Sequence, residues 1–199
     1  MKPTKTLPPQ YQHKGILDLS NNRRLALVLN VSGLLLFLLA ALFFIQAAVF
    51  LRQDDGMNIT FDSGFSLLLA LLACLLVLLL TVVVHEAIHG LIFWLLTKEK
   101  PTFGFKGFYA YAAVPDWYLP RSPFIVAALG PLVLVTAVGL LLVPVVPQTM
   151  LPFLLSGLVF NTAGSVGDVA VVIWLLRQPH ATYVNDFGDG IAIYHRGNP

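Results

Sequence analysis

The chain has 199 residues, of which 57% are hydrophobic and 11% charged, whereas ordinary soluble domains carry roughly 25% charged residues. A mean hydropathy of +0.80, with the apolar residues gathered into long runs, argues against a water-soluble globular domain and for the lipid bilayer as solvent. The net charge is only +2, and no basic run exceeds the pair Arg23, Arg24, which argues against a nucleic-acid partner.

In chain order, the first long apolar run covers residues 25–51. It is longer than the roughly 7 to 15 residues of a signal-peptide apolar region, and no small-residue cleavage site follows it, so it is expected to remain as an anchor. A second run covers residues 65–97, a third 123–146 and a fourth 151–176. Each exceeds the roughly 20 helical residues that cross the hydrocarbon core. The fold class expected is an all-α membrane protein with four transmembrane helices, residues 1–199 forming a single membrane domain.

Between the second and third runs, residues 101–118 (PTFGFKGFYAYAAVPDWY) alternate aromatic with small or polar residues at period two, which predicts a short strand or hairpin. Seven aromatics in that stretch suit a membrane interface. The tail, residues 177–199, holds two β-prone runs within residues 181–195 that predict a small hairpin. The single cysteine, Cys74, sits mid-span with no partner and carries no redox information.

Eleven of the twelve Lys and Arg residues fall on one side of these spans: Lys2, Lys5, Lys14, Arg23 and Arg24 before the first, Lys98, Lys100, Lys106 and Arg121 between the second and third, Arg177 and Arg196 after the fourth. The other side holds Arg52, beside Asp54, Asp55 and Asp62. Because cytoplasmic loops keep the positive excess, both termini are expected in the cytosol, with an external loop at residues 52–64.

Ionisable groups within hydrocarbon are costly and mark function. The four runs contain only His85, Glu86, His89 and Asp168. The first three form H-E-x-x-H, which stacks two imidazoles one helical turn apart toward one Zn²⁺ and sets a carboxylate beside them to take a proton from water. A catalytic zinc usually has three protein ligands, and Asp168 is the one other acid in the spans. His89 lies nine residues before Lys98 and Asp168 nine before Arg177, so both sit about 13 Å from their flanks. Asp168 therefore either completes the ligand set, pairs with a buried donor, or caps a broken helix. Asn161, two turns before it, shares its face and is read as a substrate contact, a support for Asp168, or an ordinary interhelical hydrogen-bonding group. Gly164, Ser165 and Gly167 between them permit local unwinding.

The segments HEAIHG, AYAAVPDWYLPRSPF and NTAGSVGD together resemble a family of bacterial integral-membrane zincin peptidases, formerly a domain of unknown function, over residues 75–195. More distantly the chain is similar to the site-2 protease class of intramembrane metalloproteases. That resemblance implies zinc held by His85, His89 and Asp168, Glu86 as the base, a β-like segment after the zinc helix, and a membrane protein or peptide as substrate in a bacterial cell membrane. This chain has GSVGD where the site-2 class usually has Leu-Asp-Gly. The rival reading is a non-catalytic metal-binding membrane protein, a transporter, or a degenerate zincin acting as an adaptor.

Overall fold

Four helices in the computed structural model are long and apolar enough to cross a membrane. Residues 1–18, 23–53, 63–106, 109–188 and 190–197 are described; Asp54, Asp55 and Asp62 of the expected external loop lie outside them. The helices are α1 (Arg23–Arg52), α2 (Gly64–Thr97), α3 (Arg121–Leu142) and a fourth span made of two pieces, α4 (Leu151–Gly164) and α5 (Val166–Leu176). The first two and the fourth match the expected boundaries closely. The third ends at Leu142 rather than residue 146, because Pro144 and Pro147 each withdraw an amide donor from the next turn.

Local chemistry explains the ends. Ser63 caps α2, exchanging side-chain and backbone hydrogen bonds with Ser66 in a capping box that satisfies orphan amides. At the far end Lys98 turns into the left-handed region at φ 62°, and its N–H donates to the Trp94 carbonyl at 2.7 Å. Beyond α3, the Arg52 guanidinium donates to the Val143 and Val146 carbonyls at 3.1 and 2.8 Å. A cation thus meets the negative end of a helix whose last carbonyls lack intrahelical partners.

The expectation of an all-α protein understates the β content. A four-stranded antiparallel sheet runs in the order β1 (Tyr11–Asp18), β6 (Gly190–Arg196), β5 (Thr182–Asp186), β4 (Leu119–Pro120). The tail hairpin appears as expected in β5 and β6; β1 was not anticipated, since YQHKGILD lacks an apolar alternation and is held as an edge by pairing with β6. His195 stands opposite Thr182 and Gln12 in the sheet and is half-buried. The aromatic stretch forms a separate antiparallel pair, β2 (Thr102–Lys106) with β3 (Tyr109–Ala113).

Two apolar cores result. One gathers Phe93, Phe124, Ala127, Val171 and Leu175 of the helices under Val184, Ile191 and Ile193 of the sheet. The other joins Ala40, Phe44 and Ala48 of α1 to Leu151, Leu155 and Leu158 of α4. Close approach of the helices depends on small residues, as is usual in membrane bundles: a side chain at Gly130 would strike Ile92 of α2, and one at Gly139 would strike Leu158 of α4. Leu158 is 2% exposed and would have to leave its packed position to admit a side chain there. Gly139→Val is therefore expected to destabilise the fold by about 1 to 3 kcal/mol through overpacking, seen as a lowered unfolding midpoint in detergent.

Candidate metal centre

The last third of α2 carries His85 and His89 one turn apart, both buried, with ring centroids 4.9 Å apart. The fourth span breaks at Ser165, whose N–H and hydroxyl both donate to the Asn161 carbonyl at 3.0 and 2.8 Å. The break begins a new helix, and Asp168 lies in its first turn, where unpaired amides favour a negative group. Asp168 Oδ2 stands 3.1 Å from His85 Nε2 and its Oδ1 3.4 Å from His89 Nε2. One ligand atom from each of the three residues falls within 4.8 Å of the others.

The opposite ring nitrogens fix how the imidazoles present themselves. His85 Nδ1 lies 3.0 Å from the side-chain oxygen of Asn161, and His89 Nδ1 lies 2.9 Å from the Ala127 carbonyl. Both partners are acceptors, so each Nδ1 carries a proton and each ring turns its Nε2 to the centre. A neutral ring offers a lone pair there, and two such lone pairs beside one carboxylate make a place for a cation. The donor set of two imidazoles and a carboxylate, each imidazole held from behind by an oxygen, fits zinc.

Asn161, 1% exposed, donates from Nδ2 to the Pro131 carbonyl at 3.3 Å while its oxygen holds His85. Of the roles open to it in the sequence, the geometry joins it to a histidine rather than to Asp168. The hold on His89 was not anticipated, though a signal was present. Pro131 lies inside α3 and has no N–H to return to residue 127, four positions back. The Ala127 carbonyl is thereby released from the helix ladder and accepts the His89 proton instead.

Glu86 sits between the two histidines in sequence, and the Ala112 N–H of β3 lies within electrostatic reach of its carboxylate. β3 pairs with β2 alone among the described strands, so its second edge offers backbone groups not used within the hairpin. The hairpin is seated on α2 at Gly90, where a side chain would collide with Phe103 and crowd Pro101. On its other face the Tyr111 ring occupies the space over two glycines, Gly104 of β2 and Gly188 of the turn between β5 and β6.

That turn brings up a residue the sequence did not single out. Asp186, at the end of β5, accepts a hydrogen bond from the Gly188 N–H at 2.9 Å and lies within electrostatic reach of His89, Asp168 and Glu86. Enclosure by protein pushes its carboxyl up to about 7; the Gly188 N–H and His89 oppose the rise, and Asp168 and Glu86 add to it. A cation at the centre would pull it back down. In the sequence, NDFGDG reads as a turn, and no spacing connects it to the helix motif.

A pair of histidines one turn apart with a glutamate between them and a distant acid beside them is the arrangement of an H-E-x-x-H metal site. A protein-family model described as "Putative zincin peptidase" matches residues 78–183, and the chain belongs to that family. No curated protein and no solved structure matches the chain. The matched span contains His85, Glu86, His89, Asn161 and Asp168; Asp186 lies three residues beyond it.

Restoring an amide at position 131 would let the Ala127 carbonyl return to the helix and leave His89 Nδ1 without its acceptor. Pro131→Ala is expected to weaken zinc binding by about 10- to 100-fold, the usual effect of losing a group that orients a metal-bound histidine. Competition with a chelator of known affinity measures it.

Proposed function

We propose that the chain is a membrane-embedded zinc metallopeptidase in which His85, His89 and Asp168 hold the ion and Glu86 is the general base. The observation that carries this reading is the convergence of two Nε2 lone pairs and one carboxylate on a single point, with Glu86 next to them in sequence. Zinc bound there would polarise a peptide carbonyl and acidify water. Glu86 takes a proton from the attacking water and delivers it to the departing nitrogen. The Ala112 N–H stands within electrostatic reach of the Glu86 carboxylate. Asn161 and the Ala127 carbonyl keep the two imidazoles in one tautomer.

A helical substrate hides its carbonyls in its own hydrogen bonds, so a segment must unwind before cleavage. The free edge of β3 beside Glu86 supports β-augmentation as the means of holding the extended peptide. The substrate is then a membrane protein or peptide, as the resemblance to site-2 proteases implies, and the setting is a bacterial cell membrane. A metal transporter, metal-binding protein or adaptor has no use for a base beside its ligands, and Glu86 therefore favours the enzyme.

Glu86→Gln keeps the shape of the side chain and removes the base. It is expected to retain zinc at the wild-type ratio and to lose hydrolysis of transmembrane peptides by about 10²-fold or more; equal cleavage by the two proteins would remove Glu86 from the mechanism. Eleven cations on one side against Arg52 on the other support a topology with both termini in the cytosol. Reporter fusions active only in the cytosol should be active at either end, and inactivity at one end would overturn this topology.

A further inference from the structure

The turn between β5 and β6 needs an acceptor at position 186, because the Gly188 N–H must be satisfied while Gly188 holds φ at +87°. An asparagine would serve that turn as well as an aspartate. A carboxyl is the costlier choice here: it is enclosed by protein and lies within electrostatic reach of two other acids, Glu86 and Asp168. Its Oδ1 is used by Gly188, and its Oδ2 has no hydrogen-bond partner among the described residues. The residue nevertheless keeps some accessible surface. A carboxyl where an amide would suffice, with one oxygen unused, on a turn whose Gly188 packs against Tyr111 next to Ala112 in β3, marks a functional group.

Resting on the peptidase reading, we propose that Asp186 is a further catalytic residue, its free carboxyl oxygen accepting a hydrogen bond from the nitrogen side of the peptide bond being cleaved. In the reaction the water oxygen bonds to the carbonyl carbon, and the C–N bond breaks with its electron pair remaining on nitrogen. Glu86 carries the water proton to that nitrogen, and Asp186 holds the departing N–H. Glu86 and Asp186 thus divide the work on the two products. Glu86 moves the proton, and Asp186 receives the amine.

The test compares wild type with Asp186→Asn, Asp186→Ala and Glu86→Gln on a panel of fluorescently labelled transmembrane peptides in detergent, with zinc content, unfolding midpoint and binding of an amine-side product peptide read alongside. Asp186→Asn preserves the acceptor for Gly188, so its zinc content and midpoint should equal wild type. Its kcat should fall about tenfold or more, and its affinity for the product peptide should fall similarly, as expected for losing a hydrogen bond to a charged group. A purely structural role predicts the opposite pattern, Asp186→Asn matching wild type in cleavage and product binding while Asp186→Ala loses stability, and that result overturns the assignment. Cleavage by wild type that Glu86→Gln abolishes, with Asp186→Asn unimpaired, sinks Asp186 alone. No cleavage by wild type on any peptide overturns the peptidase reading and the assignment together.

Discussion

Everything in this structure turns on bringing two imidazole lone pairs and a carboxylate to one point inside an apolar bundle. Alone, each of these groups is expensive in hydrocarbon; together they define a site for a cation. The cost explains why the surrounding helices depart from ideal geometry where they do. The fourth span restarts at Ser165 so that Asp168 enters at a helix beginning, and the third carries a proline that releases one carbonyl to His89. These departures are tolerated because the freed groups find partners within the protein.

The β elements gather around the same centre. Ala112 of β3 brings an amide within electrostatic reach of Glu86, β5 delivers Asp186, and the apolar residues of β5 and β6 close the core beneath the site. The half of the bundle built on α1 and α4 has its own core; α1 contributes packing, and α4 adds Asn161 behind His85. The family match, residues 78–183, begins within α2 and so leaves α1 aside.

Much of this was legible in the residues. Span lengths follow from apolar runs against a fixed bilayer thickness, and H-E-x-x-H is a local pattern whose spacing carries its own geometry. Asp168 could be paired with it by depth because both helices run the same way through one slab. The partners behind the histidines were harder to see: Asn161 was noticed without its partner, and the carbonyl of Ala127 is invisible until Pro131 is read as a missing donor on another helix. Asp186 was illegible, because its approach to His89 depends on the fold of a sheet whose edge strand, β1, has no apolar alternation to betray it.

Tyr111 fills the space that side chains at Gly104 and Gly188 would occupy, so one phenol ring is shared between the β2–β3 hairpin and the β5–β6 turn. Interiors packed at this density do not slide; separating the two would open a void as large as the ring, at the energetic cost such voids carry. The edge that would grip a peptide and the turn that carries Asp186 are therefore mechanically one piece. Lifting the hairpin from Gly90 would strip Tyr111 from Gly188, and the turn that carries Asp186 would lose its packing partner.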